Sequence, residues 1–150
     1  MESRARTWAM KAGAALAAGV GLAVLSPAPH AQAGTSCSVL GCSETYNYSG
    51  VLALAVRDWT CDSGTTGTAS TGCVSLANTR WLSNGTRTPS GQDWDAFKVD
   101  AGWCYLVELQ TPGKKWHMTY DRRGYSTPVY VKVENWGVAY LRGQSTTTCP

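Results

Sequence analysis

The residues that could carry out acid–base chemistry are few. Histidine most often moves protons near neutral pH, and the chain has only His30 and His117, of which His30 lies in a leader that we expect to be removed. A ribonuclease could use Glu108 as its base and His117 as its acid. Arg122 or Arg123 would then hold the phosphate, but no spacing in the sequence requires this set. We favour a solvated turn for the arginines and a solvent-facing strand position for His117.

The densest acidic cluster consists of Asp93, Asp95 and Asp100. Strand alternation would place Asp93 and Asp95 on one face, where two carboxylates could share a calcium ion. The glycine and the closing glutamate of an EF-hand loop are absent, so calcium remains an alternative and we expect neither a metal nor a cofactor. No C-x-x-C pair occurs, which argues against zinc.

Aromatic side chains are the remaining candidates for a functional site. Beyond the leader the chain has six tryptophans and seven tyrosines against one phenylalanine. Both types combine a large apolar surface with a polar tip, and they are favoured where proteins contact sugars or other proteins. A small core needs one or two of the six tryptophans, so we expect two or three to be exposed. Our candidates for partner contact are Trp94, Trp116 and Trp136.

The N-terminal region predicts where the chain works. Residues 1–33 combine a basic head, an uncharged apolar run over 12–25 and a small-residue end, which together predict a secretory signal peptide. No later segment approaches the length of a membrane span. All six cysteines follow the leader, and an even number in an exported chain predicts three disulfides. We therefore expect a secreted, extracellular protein.

The spacing of the cysteines suggests pairs without fixing them. One bridge would close the Gly-, Ser- and Thr-rich stretch 62–72, which we expect to be a surface loop. A second could close a small loop near the N-terminus, and the third would then join the C-terminus to a central strand. Many other pairings are possible, and the sequence does not choose among them. The pairs considered are Cys61–Cys73, Cys37–Cys42 and Cys104–Cys149.

Strand patterns dominate the chain beyond the leader. Val, Thr, Tyr and Trp are abundant, Gly and Ser punctuate the sequence, and no stretch keeps a helical apolar stripe. We expect an all-β, disulfide-stabilised antiparallel sandwich of about seven short strands. The predicted strands cover 49–59, 73–77, 80–83, 94–99, 103–110, 116–120, 129–134 and 136–142.

The predicted organisation is one domain with a short leading segment. Residues 1–33 are the signal peptide, 34–49 an N-terminal extension, and 50–150 the disulfide-stapled β domain. Removal of the leader leaves ten basic against nine acidic residues, so charge implies neither nucleic acid nor an anionic membrane as a partner.

Three strings carry a resemblance to a known family. They are RDWTC at 57–61, GQDWDAFKVDAGWCY at 91–105 and YVKVE at 130–134. With the Ala-rich leader, they resemble small secreted proteins of filamentous actinobacteria such as Streptomyces. Among these, the chain beyond the leader is most similar to the small adaptor subunit of the secreted umbrella toxin particles.

The resemblance implies a function in antibacterial competition. The family's small subunit is a non-enzymatic link between a lectin-bearing subunit and a large stalked subunit that carries the toxin. An N-terminal extension is expected to engage the lectin-bearing partner, which here implies the segment 34–49 with Tyr46 and Tyr48 as anchors. Cys37 and Cys42 would constrain this segment more than a freely inserting strand requires.

The absence of a catalytic set also favours a secreted, non-enzymatic module that binds protein partners. An alternative is a carbohydrate- or cell-wall-binding module with a planar row of exposed rings. A small secreted protease inhibitor is another alternative, with the loop 62–72 as its contact segment. A small hydrolase or nuclease would depend on His117.

Overall fold

The computed structural model describes Cys37 and residues 41–150, so the predicted signal peptide lies outside the described residues. The described part of the chain is all-β and folds into two sheets of five strands each. It contains no helix long and apolar enough to cross a membrane. The strands are β1 (Glu44–Asn47), β2 (Ala53–Trp59), β3 (Ala69–Ser70), β4 (Val74–Leu82), β5 (Thr86–Arg87), β6 (Ala96–Val99), β7 (Cys104–Thr111), β8 (Lys114–Asp121), β9 (Val129–Lys132) and β10 (Val138–Ser145).

The first sheet has the strand order β5-β1-β10-β7-β8. Its long hairpin, β7–β8, turns at Gly113, whose φ of 76° lies in the left-handed region that glycine adopts without strain. β10 pairs antiparallel to β7, whereas β1 pairs parallel to β10. The first and the last strands of the described fold therefore lie side by side.

The second sheet has the order β3-β9-β6-β2-β4, and all its pairs are antiparallel. β4 is an edge strand. A register shift between Val56 and Asp58 of β2 marks a bulge in the β2–β4 pair. The extra residues of the bulge lie on β4, between Ser75 and Thr79.

The main hydrophobic core takes side chains from both sheets. β6 and β9 of the second sheet contribute Phe97 and Val131, and β7 and β10 of the first contribute Tyr105, Val107 and Leu141, all fully buried. Strand alternation directs these side chains to one face of each sheet. A smaller cluster contains Val56, Trp59, Ala96 and Tyr130, with the Cys61–Cys73 disulfide against it.

The three predicted disulfides are present, and no cysteine is free. They join Cys37 to Cys42, Cys61 to Cys73 and Cys104 to Cys149. The last bridge ties the C-terminus to the start of β7. Three disulfides indicate an oxidising compartment such as the extracellular space.

The structure corrects the predicted number and limits of the strands. It has ten strands instead of about seven. The predicted segments 73–77 and 80–83 form one strand, β4, and three further strands, β1, β3 and β5, were not predicted. β1 lies within the segment predicted to be an N-terminal extension, yet it is an interior strand of the first sheet.

The stretch 62–72 is exposed at most of its positions, as expected of a surface loop, but its middle is anchored to the rest of the fold. Thr66 is buried, and a Cβ on Gly67 would lie 3.0 Å from Leu109 Cδ1. The backbone of this stretch is anchored from two sides, because the Tyr120 hydroxyl donates to Gly67 O at 2.8 Å and Thr66 N donates to Glu134 Oε2 at 2.9 Å.

Candidate functional site

One line of side chains crosses all five strands of the first sheet. Residues paired in register point to the same side of a sheet. The strand neighbours Val107 and Leu109 are fully buried in the core, so this line faces away from it. In register order, the line consists of Arg87 on β5, Tyr46 on β1, Tyr140 on β10, Glu108 on β7 and His117 on β8.

Three tyrosine rings, two of them on this line, stack on one another. The ring centroids of Tyr46 and Tyr140 are 4.9 Å apart, with planes inclined by 25°. Tyr48 completes the group at 6.1 Å from Tyr46 and 6.4 Å from Tyr140. These separations are those of favourable offset-stacked aromatic pairs. Tyr48 is 45% exposed, so the stack ends at the surface.

Two guanidinium groups flank the tyrosines. Arg142 Cζ lies 4.8 Å from the ring centroid of Tyr140 and 5.6 Å from that of Tyr48, and Arg87 Cζ lies 5.4 Å from that of Tyr46. Cations at such distances attract the ring electrons. We call Tyr46, Tyr48, Tyr140, Arg87 and Arg142 the tyrosine–arginine face.

Hydrogen bonds hold the Arg87 end of this face. Arg87 Nη1 donates to the Tyr46 hydroxyl at 2.8 Å and to Glu44 Oε2 at 3.0 Å. The Tyr46 hydroxyl donates to the same carboxylate at 2.9 Å. Burial and the neighbouring Glu44 raise the pKa of Tyr46, while the hydrogen bond to Tyr46 raises the pKa of Arg87. Tyr46 therefore remains a neutral donor at physiological pH.

Glu108 lies toward the other end of the line of side chains, where basic side chains cover its carboxylate. Its side chain is only 6% exposed because charged groups lie over it, although it is on the outer side of the sheet. Lys115 Nζ lies 2.6 Å from Oε1, while Arg142 Nη2 lies 3.1 Å and His117 Nε2 3.5 Å from Oε2. The Lys115 contact, helped by Gln110 and Arg142, lowers the pKa of Glu108 to about 2.

The surroundings of Glu108 are unsuited to the ribonuclease mechanism considered from the sequence, in which Glu108 is the base and His117 the acid. A carboxylate with so low a pKa is a weak general base at neutral pH. Glu108 and His117 also touch each other directly, which leaves no space for a phosphate between base and acid. Arg123 instead forms an ion pair with Asp121 at 2.7 Å, and Arg122 Cζ lies 3.6 Å from the ring centroid of Tyr125. The two arginines thus belong to the turn after β8.

The tryptophans proposed from the sequence are dispersed. Trp94 is buried against Ala55 and Leu82, so it cannot contact a partner in this conformation. Trp116 is partly buried against the main core, with a lysine ammonium over its ring. Trp136 is 40% exposed in the turn between β9 and β10, where its φ of 60° is in the left-handed region.

The acidic pair Asp93 and Asp95 lies in the segment just before β6, and both side chains are buried. Ser43 Oγ lies 2.6 Å from Asp93 Oδ1 and 3.3 Å from Asp95 Oδ1. Trp59 N donates to Asp95 Oδ2 at 3.3 Å, and the Asn135 amide donates to Asp93. Burial, and then the charge of Asp93, raise the pKa of Asp95 to about 7.

With its pKa raised, a protonated Asp95 can donate a hydrogen bond to Asp93, so the pair can be buried without a cation. Elsewhere among the described residues, Cys104, Cys149 and Asp121 come close enough to hold a metal ion. Both sulfurs are already joined in a disulfide and are therefore not free as thiolate ligands.

Sequence reasoning missed three residues of the tyrosine–arginine face, namely Tyr140, Arg142 and Arg87. The alternation Tyr140-x-Arg142 was a usable signal, because residues two apart on a strand share a face. The string Tyr46-x-Tyr48 carries the same alternation at the end of β1. Nothing in either string showed that these two strands are neighbours.

No protein-family model, no curated protein and no solved structure matches this chain. The fold and the side-chain geometry therefore carry the functional argument.

Proposed function

We propose that this chain is a secreted, non-enzymatic module that binds protein partners and acts as an adaptor between them. The observation that carries the proposal is the tyrosine–arginine face, in which three stacked rings and two arginines lie on one sheet. Tyrosine and arginine are enriched among the residues that dominate protein–protein binding energy. Stacking and hydrogen bonds restrain these side chains before binding, so little conformational entropy remains to be lost.

The geometry favours a protein partner over a carbohydrate. Sugars are bound by ring faces that lie open to solvent. In this face Tyr46 and Tyr140 turn their ring planes toward each other at 4.9 Å, so their edges and hydroxyl groups are what a partner meets. Mixed hydroxyl, guanidinium and apolar edges suit the polar and apolar atoms of a protein surface.

The resemblance noted in the sequence suggests which partners are joined. It implies a lectin-bearing subunit on one side and a large toxin-bearing subunit on the other, in an extracellular antibacterial complex. Tyr46 and Tyr48, the anchors implied by the resemblance, belong to the tyrosine–arginine face. We further propose that the two sheets pack as a sandwich, since the main core draws on both.

Affinity purification tests the proposal. The tagged protein is secreted by the organism that encodes it, recovered from the culture medium under non-reducing conditions, and its co-purifying proteins are identified and quantified by mass spectrometry. We expect secreted partners in fixed ratio. Tyr48→Ala and Tyr140→Ala should each weaken recovery of one partner at least about tenfold, as for residues that dominate a binding interface.

Tyr125→Ala is the matched control. Tyr125 is also exposed and also packs on an arginine, Arg122, but it lies outside the tyrosine–arginine face. The control should retain every partner. Recovery of the parent protein alone, as a monomer, would refute the adaptor function, and equal recovery with all three variants would place the binding surface elsewhere.

A further inference from the structure

The four sheet edges of the described fold differ in how they are protected. An exposed edge strand invites pairing with another chain, and proteins commonly prevent it with very short edge strands or with charged side chains, especially lysine. β3 and β5 are edges of only two residues each. β8, the third edge, is longer, but three of its eight residues, Lys114, Lys115 and Asp121, are charged.

β4, the fourth edge, is neither short nor rich in charged residues, although it contains a bulge. It is nine residues long, and the six residues from Leu76 to Trp81 are all exposed. Leu76 is 56% and Trp81 59% exposed, so this edge offers two large apolar side chains to solvent. Arg80 is its only charged residue, and no ion pair or hydrogen bond of the Arg80 side chain occurs among the described residues.

We propose that β4 binds an extended segment of a partner polypeptide by strand addition. The free side of an edge strand offers backbone donors and acceptors at strand spacing, and another strand is the ligand that matches them. Arg80 and Trp81 are adjacent and therefore project to opposite faces. The added segment accordingly carries an acidic residue opposite Arg80 and, next to it, a large apolar residue opposite Trp81.

The bulge defines which part of β4 takes the added strand. Thr79, Arg80, Trp81 and Leu82 pair in regular register with β2, whereas the bulge lies between Ser75 and Thr79. Leu82 is fully buried, and its carbonyl oxygen already accepts from Asn47 Nδ2 at 2.7 Å. Regular pairing with an added strand is therefore centred on Thr79, Arg80 and Trp81. This surface is on the second sheet, whereas the tyrosine–arginine face is on the first, so one partner could occupy each.

A peptide library tests this inference without the natural partner. A displayed library of random linear dodecapeptides is selected on the immobilised, disulfide-intact protein, and enriched peptides are synthesised with a fluorescent label. Binding is then measured by fluorescence polarisation. We expect enriched peptides to share an acidic residue directly beside a large apolar one.

Variants at β4 locate the site. Arg80→Glu and Trp81→Ser should each weaken peptide binding about tenfold or more. With the Arg80→Glu variant, a peptide whose acidic residue is replaced by lysine should bind as tightly as the original peptide binds the parent protein. Both side chains are exposed, so the variants should keep the unfolding midpoint of the parent. Lys114→Glu on β8 is the matched charge reversal and should leave binding unchanged.

Three results would overturn the inference. One is failure to enrich any peptide, and another is equal binding by the parent and both β4 variants. The third is loss of binding with Tyr48→Ala instead, which would assign the peptides to the tyrosine–arginine face. These outcomes are independent of whether a natural partner co-purifies, so the two proposals can fail separately.

Discussion

The buried pair Asp93 and Asp95 makes the stability of this protein depend on pH in an unusual direction. Carboxylates that are paired or hydrogen-bonded in the folded state usually stabilise the fold when they are ionised. Here burial and the charge of Asp93 raise the pKa of Asp95 from 3.8 to about 7. The folded chain therefore binds a proton that the unfolded chain releases near pH 4. The associated stability is fully present below pH 4 and declines as the pH rises to about 7.

Asp95→Asn removes this dependence. The amide is neutral at every pH, its oxygen can still accept from Trp59 N, and its nitrogen can donate to Asp93. Between pH 5 and pH 7 the parent is expected to lose at most about 2.7 kcal/mol through Asp95, since each pH unit is worth about 1.36 kcal/mol. Solvent screening of a group that is not completely enclosed lowers this limit, so we expect about 2 kcal/mol.

The assay is urea unfolding of the disulfide-intact protein at pH 5 and pH 8. The stability of Asp95→Asn relative to the parent should increase by about 2 kcal/mol from the lower to the higher pH. Asp62→Asn, at an exposed position in the stretch 62–72, is the matched control and should follow the parent at both pH values.

Two results would refute the shared-proton reasoning. Parallel pH profiles for the parent and Asp95→Asn would show that Asp95 is already ionised in the folded state at pH 5. Stabilisation of the parent by added calcium at pH 8, absent from Asp95→Asn, would show that a cation, not a proton, neutralises the pair. The second result would support the calcium site that the sequence suggested at Asp93 and Asp95.

Three further predictions address other parts of the fold. Glu108→Gln should lower the free energy of unfolding at pH 7 by about 1 kcal/mol in dilute salt and by less in 1 M NaCl, as measured by urea unfolding. Because the pKa of Glu108 is lowered to about 2, the parent should lose this advantage between about pH 4.5 and pH 2. Gly137→Ala should destabilise by about 2 kcal/mol or more in thermal unfolding, since its Cβ would lie 2.7 Å from Glu134 O. Replacing Cys104 and Cys149 with serine should cost about 4 kcal/mol by urea unfolding, given the 45-residue separation they close.

The strands that the sequence predicted well are those with clear alternation. The predicted strands 103–110 and 116–120 correspond to β7 and β8, and each shifts by no more than two residues at either end. Alternation is a local property, because it requires only that one face of the strand be buried. β3 and β5, at two residues each, are too short to produce such a pattern.

The tyrosine–arginine face could not be predicted in the same way. Tyr46 and Tyr140 meet because β1 and β10 pair in parallel register, and this pairing joins opposite ends of the chain. Pairing between distant strands depends on how both bury their inner faces, which a local pattern does not contain. The resemblance implied Tyr46 and Tyr48 as anchors, whereas their neighbours Tyr140 and Arg142 were missed.

The placement of the two proposed surfaces bears on how an adaptor of this size could work. The tyrosine–arginine face belongs to strands of the first sheet, and the free edge of β4 belongs to the second. The common core joins the two sheets through fully buried side chains such as Phe97 and Tyr105. Partners held at these places would then be fixed relative to each other by a rigid core instead of by a flexible linker. If so, Tyr48→Ala and Trp81→Ser should each weaken assembly of a ternary complex. Because Asn47, beside Tyr48, donates from Nδ2 to the carbonyl oxygen of Leu82, beside Trp81, at 2.7 Å, a double-mutant cycle should show coupling between the two substitutions instead of simple additivity.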